Sequence, residues 1–231
     1  MKTRTLTLAV AAASLCAAAG AAGGTPRMPR ASSFSAHVDN PWFPLKPGTR
    51  YLYTGVKDGK RSRDVVTVLH GTKTIDGVPC AAVRDRLYVR SRLEERTTDW
   101  YSQDSKGNVW YLGENTAELD RHGRITSTEG TWKTGVHGAK AGIYMPAHPR
   151  VGQSGRQEYY KGHAEDHFKV VALFGTVGAH GATKMLLTQE RTPLEPGVID
   201  HKFYVRGIGT VLEQTEKGGN ERNELVAITH G

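Results

Sequence analysis

Ile75-Asp76-Gly77-Val78 lies between a β-branched run, Asp64 to Leu69, and a long extended stretch, Val78 to Arg92. Asp-Gly accepts the positive φ angles of a type I′ turn, so the stretch reads as a tight β-hairpin. The same grammar runs outward in both directions. Upstream, Tyr51 and Tyr53 alternate with Leu52 and Thr54 before a turn at Lys57-Asp58-Gly59-Lys60. Downstream, Glu95 to Ser102 and Asn108 to Gly113 form a second hairpin around Ser105-Lys106-Gly107-Asn108, and Arg124 to Trp132 reads as a further strand. Gly135 to Gly155, with five glycines and two prolines, reads as a long ordered loop. Strand signals resume at Gln157–Tyr160, His163–Phe174, Lys184–Arg191, Asp200–Val205, Thr210–Glu216 and Glu221–Thr229. No segment carries a capped amphipathic helical period. About ten strands at short spacing predict an all-β chain: an antiparallel barrel, half-barrel or sandwich. The 27 glycines fit that class as markers of turns and bulges.

The N-terminus has a different character. Lys2 and Arg4 precede an apolar run from Leu6 to Leu15, and Ala17 to Gly24 are almost all Ala or Gly. A positive start, an apolar core and small residues before the cut are the features of a secretory signal peptide. The preferred cleavage site is Ala19-Gly20-Ala21, and the apolar run is too short for a permanent membrane helix. The expected organisation is therefore a signal peptide over 1–21, a flexible tether over 22–39 and a single β-rich domain over 40–231. The expected location is secreted or periplasmic, with no transmembrane segment after processing. Leu15 before Cys16 is a poor lipobox, and cleavage would remove Cys16. Cys80 would then be the one cysteine left, unable to form an intrachain disulfide and expected to be a buried strand residue.

Composition narrows the functional classes. Removing Lys2 and Arg4 from the 31 basic residues leaves 29 against 23 acidic ones, a formal charge of +6. The basic residues are dispersed and do not interleave with aromatics, so no nucleic-acid platform is expected. The chain has no GxSxG, P-loop, GxGxxG or CxxC signature.

Three constellations could carry chemistry. Trp100, Tyr101, Trp110, Tyr111 and Trp132 cluster on or near one hairpin; such aromatics either pack as core or face an apolar or glycan ligand. In Gly162-His163-Ala164-Glu165-Asp166-His167-Phe168, a strand places His163, Glu165 and His167 on one face. Two imidazoles and a carboxylate could contribute ligands to Zn²⁺, with a fourth from Glu158, His180 or His201; the alternative is a solvated strand face. Asp99 and Glu114 invite a paired-carboxylate glycosidase reading, which their spacing does not support.

Several segments also carry a resemblance. Asn40-Pro41-Trp42-Phe43-Pro44-Leu45 with Pro47-Gly48-Thr49-Arg50-Tyr51 resembles a group of secreted bacterial β-rich proteins with no assigned activity. So do Asp99-Trp100-Tyr101-Ser102-Gln103-Asp104 with Gly107-Asn108-Val109-Trp110-Tyr111-Leu112-Gly113-Glu114, Gly142-Ile143-Tyr144-Met145-Pro146-Ala147 and Thr192-Pro193-Leu194-Glu195-Pro196-Gly197. The opening segment is also similar to the start of envelope proteins whose sheets curl into a half-barrel. The resemblance implies no functional residues. The reading from sequence is a non-enzymatic binding or structural module of the cell envelope without a cofactor. Its alternative is a metal-dependent hydrolase with Zn²⁺ at His163, Glu165 and His167.

Overall fold

The computed structural model describes residues 26–178 and 181–231, with the side chains of 176–183 left aside. The signal-peptide expectation and His180 fall outside the described residues. After one 3-10 turn, Ala31–Ser33, the chain is built of strands. The first eight are β1 (Phe34–Ser35), β2 (Thr49–Lys57), β3 (Lys60–Ile75), β4 (Val78–Val89), β5 (Arg92–Asp104), β6 (Val109–Leu119), β7 (Ile125–Ser127) and β8 (Trp132–Lys133). The others are β9 (Lys140–Met145), β10 (Ser154–Arg156), β11 (Glu158–Tyr159), β12 (His167–Gly178), β13 (Gly181–Arg191), β14 (Ile199–Val205), β15 (Gly209–Lys217) and β16 (Arg222–His230).

The pairings are antiparallel and thirteen strands follow one order, β10-β12-β13-β14-β15-β16-β2-β3-β4-β5-β6-β9-β11, while β1 pairs with β5 and β7 and β8 with β6 beside it. Two meanders, β2 to β6 and β12 to β16, are joined by the pairing of β16 with β2. The two ends of this order are almost one strand. β10 pairs with β12, β11 pairs with β9, and only Gln157 separates them. The sheet thus curls into a nearly closed barrel, which removes most of the exposed strand edge. Closure requires the backbone of β9 to approach that of the closing segment. A Cβ on Gly142 would lie 2.3 Å from the carbonyl oxygen of Arg156. Among the described residues no helix is long and apolar enough to cross a membrane.

The local grammar is realised as the turn chemistry requires. Asp58 and Gly59 have φ of 51° and 69°, and Asp76 and Gly77 have 48° and 77°, the left-handed pairs of type I′ hairpins. Several boundaries differ from expectation. The 135–155 loop contains β9 and the start of β10, because Lys140–Met145 pairs with β6 on one side and β11 on the other. Arg124–Trp132 pairs with β6 only at its two ends, through β7 and β8. The last part of the expected tether lies in the fold: Phe34 and Ser35 pair with β5, and Val38 bridges Leu45. Finally, β12 begins at His167, while His163 sits in a turn bridged by Tyr160 and Ala164.

Strand alternation divides the apolar residues into two clusters. One fills the inside of the barrel and includes Tyr53, Val68, Val83, Tyr101, Tyr111, Phe168, Leu186 and Tyr204. The other lies on the opposite face of β4 to β6, where Phe34 and Met28 pack over Val78, Cys80, Trp100, Trp110 and Leu112. Cys80 is fully buried there, and burial pushes its thiol up to about 12, so it behaves as a small apolar side chain. The Asn40–Leu45 segment plugs one part of the barrel. Asn40 is buried, donates from Nδ2 to the carbonyls of Gly107 and Pro146, and accepts the backbone N–H of Trp42.

Candidate ligand-binding cavity

The barrel is not filled. Its interior holds a cavity of about 310 Å³, and a second hollow of about 300 Å³ shares Asp64, Asp85, Glu213 and Asn223 with it. The lining has an unusual feature: seven strands each send in one carboxyl group, and the residue before β12 adds an eighth. Asp64 comes from β3, Asp85 from β4, Asp99 from β5 and Glu114 from β6. Glu158 comes from β11, Asp166 from the residue before β12, Glu190 from β13 and Glu213 from β15. Among the described lining residues the one cation facing these eight is Lys202 of β14.

A bulge is what completes this girdle. Tyr101 pairs with Tyr111, yet Trp100 pairs with Gly113, so β6 carries one extra residue. The bulge reverses the parity of β6, and Tyr111 and Glu114 both face the cavity although they stand an odd number of residues apart. Gly113 holds the bulge for two reasons. Its φ is +148°, and a Cβ there would sit 2.5 Å from the carbonyl oxygen of Trp132. Asp99 and Glu114 become direct cross-strand partners as a result.

Burial governs the ionisation of these groups. A carboxylate withdrawn from water loses solvation, and protonation relieves the cost. Burial raises Asp99 to about 7, against the hydrogen bond that the Tyr111 hydroxyl donates to its Oδ1 at 2.6 Å. Burial and the neighbouring Asp99 raise Glu114 to about 10. Burial and Glu190 raise Asp166 to about 6. Asp85 is driven well above the usual carboxylate range by burial and then by its hydrogen bond with, and the like charge of, Asp64. Glu158 is raised by burial and then by Asp166.

Glu190 is the satisfied member. Its Oε2 meets Lys202 Nζ at 2.8 Å, and its Oε1 accepts from Gln157, Thr188 and Tyr204. Lys202 also faces Glu213 at 3.4 Å. Burial works against the lysine charge, but Glu190 and Glu213 outweigh it and hold the ammonium well above its ordinary range. Four other oxygens at the cavity make no close hydrogen bond: Asp64 Oδ1, Asp85 Oδ1, Glu158 Oε2 and Asn223 Oδ1. Asp85 nonetheless interacts with Asp64, and Glu158 with the indole N–H of Trp132, which is itself without a close partner. Aromatic faces line the remaining wall. Tyr101 and Tyr111 stack at 4.8 Å, Phe43 meets Tyr101 edge-on at 5.1 Å, and Tyr144 packs against all three.

The five aromatics expected at a ligand site do not act together. Tyr101 and Tyr111 line the cavity, while Trp132 is buried behind Tyr111 in an edge contact. Trp100 and Trp110 point to the opposite face, because neighbours in a strand alternate. There Trp110 donates from Nε1 to Asp104 and meets Phe34 edge-on.

The three expected metal ligands are each engaged separately. His163 stacks on Tyr160 and pairs through Nδ1 with Glu129 at 2.7 Å. Glu165 accepts the backbone N–H of Gly162 and faces Arg156 at 3.7 Å. His167 lies on β12, where burial and then Arg156 depress its pKa. Among the described residues no group of three or more His, Cys, Asp or Glu is arranged to hold a metal ion. The strand premise fails at His163, which lies in a turn, and with it the shared face.

The carboxyl girdle was beyond sequence reasoning, since its members lie on separate strands and form no motif. Asp99 and Glu114 were the one visible pair. The signal that could have found the rest is parity: Asp64 with Val66 and Val68, or Asp85 with Val83, is a carboxylate on the apolar side of a strand.

No family model matches the chain, and no curated protein matches it. Among solved structures it is similar to a candidate exported protein with a YmcC-like fold from Bacteroides fragilis, at 14% identity and a TM-score of 0.44. That match covers 81% of this chain and 98% of the other. It is also similar to a candidate lipoprotein from Parabacteroides distasonis, at 11% identity and a TM-score of 0.40, over 81% of this chain and 98% of that one.

Proposed function

We propose that this protein is an exported, non-enzymatic module of the bacterial cell envelope that binds a small ligand inside its barrel. The observation that carries the reading is the cavity itself, with Glu158 and Asp64 nine-tenths buried yet presenting oxygens without close partners. Buried polar atoms are nearly always satisfied, and an interior that leaves several open is built to be completed by something else. The binding site is thus the carboxyl girdle and its tyrosines, not the tryptophans of the outer face. Export rests on Lys2, Arg4, the apolar run to Leu15 and the small residues after it.

Two measurements test the reading. N-terminal sequencing of secreted material should find a start between about residues 18 and 24; an intact Met1 would remove the export claim. Native mass spectrometry of protein taken from the exported fraction should show a small noncovalent adduct. The stacked Tyr101–Tyr111 pair makes near-UV circular dichroism a second report on its entry. Protein that carries no adduct, and whose tyrosine signal ignores a small-molecule library, would refute ligand binding.

A further inference from the structure

The girdle also states what kind of ligand it would take. We propose that the cavity is a receptor for an organic ammonium ion bearing at least two amine groups, of the diamine or polyamine class; this rests on the cavity being the binding site.

The first argument is sign. Eight carboxyl groups face one lysine, and that lysine already serves Glu190 and Glu213. Before a ligand enters, burial favours the protonated form of several of these carboxyl groups, Glu114, Asp85 and Glu158 among them. An entering ammonium restores their charge and releases those protons, whereas an anion finds no cationic partner but Lys202 among the described lining residues. The second argument is hydrogen-bond type. The four unpartnered cavity atoms, Asp64 Oδ1, Asp85 Oδ1, Glu158 Oε2 and Asn223 Oδ1, are all oxygens, and the carboxyl ones are pure acceptors once ionised. The amide of Asn223 is oriented by donation from its Nδ2 to Asp64 Oδ2 at 3.2 Å. Such a site needs donors, and a primary ammonium supplies three with no acceptor of its own. Asp64 is 9% exposed and Glu158 5%, so both oxygens are buried with their side chains.

The third argument is placement. Asp64 and Asp85 lie on adjacent strands, while Glu158 lies on β11. From β3 to β11 the sheet passes through β4, β5, β6 and β9, close to half of the barrel's circuit. The two groups of open acceptors therefore face one another across the interior. They match a ligand with a cationic group at each end and a methylene chain between them. The chain would lie along Tyr101, Tyr111 and Phe43, whose faces suit both methylenes and an ammonium. A bare metal ion fits less well, because no three carboxyls among the described residues gather around one point.

The exterior provides a control. Without Lys2 and Arg4 the chain still carries a formal charge of +6, so diffuse electrostatics repel a cation from its surface. Binding of an amine would therefore report the interior.

The test is a titration of the mature protein with putrescine and spermidine at pH 8 and fixed ionic strength, followed by calorimetry and melting temperature. 1,4-Butanediol, succinate and Mg²⁺ serve as comparators. The expected result is saturable binding of the amines and of none of the comparators. Glu158→Gln and Asp64→Asn should each weaken it about ten-fold, the loss of one charge-assisted hydrogen bond. Both substitutions conserve shape, and unchanged circular dichroism certifies folding; Glu129→Gln, on the surface, should bind as the parent does. Equal binding of butanediol would overturn the ammonium assignment, and so would equal stabilisation by Mg²⁺ or amine binding indifferent to Glu158→Gln and Asp64→Asn. If the amines fail but the exported protein still carries an adduct that Glu158→Gln removes, the cavity binds something else and only this inference falls. If no adduct exists either, both fall.

Discussion

Gly142 is where the barrel closes on itself, and its replacement by alanine is the sharpest test of the architecture. A Cβ there would lie 2.3 Å from Arg156 O, 2.6 Å from Gln157 C and 2.7 Å from Gln157 O. All three are backbone atoms, so no side chain can rotate away. Ordinary contact requires the closing segment to retreat by about 1 Å, an overpacking strain of about 1–3 kcal/mol. That retreat strains the pairing of Glu158 with Ala141 and of Tyr159 with Lys140, at about 1 kcal/mol per hydrogen bond lost. The sum is about 2–4 kcal/mol, or a fall in Tm of about 5–15 °C for a chain of this size. Gly71→Ala is the control. It lies within β3 with open space around its Cβ, and the substitution should be neutral or slightly stabilising. Urea denaturation of both variants, with m-values compared, measures the difference. A Gly142→Ala protein melting within about 1 °C of the parent would show that β10 and β11 do not close the sheet as described.

The girdle sets a pH dependence of defined sign. Asp99 at about 7, Asp166 at about 6, and Asp85 and Glu158 held above their usual range bind protons more tightly folded than unfolded. Stability should therefore fall as pH rises from about 4, past Asp166 and Asp99 and on to Glu114 at about 10, with His167, whose pKa is depressed, opposing this below about 6.5. The urea midpoint should be higher at pH 5 than at pH 8, and Asp99→Asn should narrow the gap by stabilising the pH 8 form; a higher midpoint at pH 8 in the parent would contradict the burial argument. Lys202→Met should cost about 3–5 kcal/mol, because it strands Glu190 and Glu213 without a cation, and adding Glu190→Gln should restore part of the loss in a double-mutant cycle. His163→Ala with His167→Ala should change stability by no more than about 0.5 kcal/mol each, and elemental analysis of untagged protein should find no stoichiometric metal; bound Zn²⁺ lost in that variant would reverse the reading of both residues.

The strands were legible because period two and the Asp-Gly pairs are local properties. Asp76-Gly77 and Asp58-Gly59 turn as their residue types demand. What escaped was non-local. The bulge before Gly113 is visible only once Trp132 and Lys133 are known to lie against that glycine, and it decides which side Glu114 faces. β9 hid inside a glycine-rich stretch because its pairing partners, β6 and β11, come from before and after it in the chain. Alternation alone separates Trp100 from Tyr101 and Trp110 from Tyr111, so the aromatic cluster that looked like one surface is two. His163, Glu165 and His167 were read with strand parity that a turn at His163 removes.

The joining of β16 to β2 has a kinetic consequence. Tyr53 lies beside Leu225, and Tyr53 Oη donates to the carbonyl of Thr210, 157 residues away. The hairpins of each meander can form as soon as their own residues are available, but this seam cannot. Loop closure costs about 0.6 kcal/mol for each doubling of the span, and the contacts that repay it come only after the ends have met. The two meanders should therefore collapse first as open, curved sheets, with β2 and β16 as exposed edges and the carboxyl groups still hydrated and charged. Zipping β16 onto β2 is then the slow event that withdraws those groups from water. An edge left waiting in this way is the point at which two copies of the chain could exchange their last strands, each completing the other's barrel.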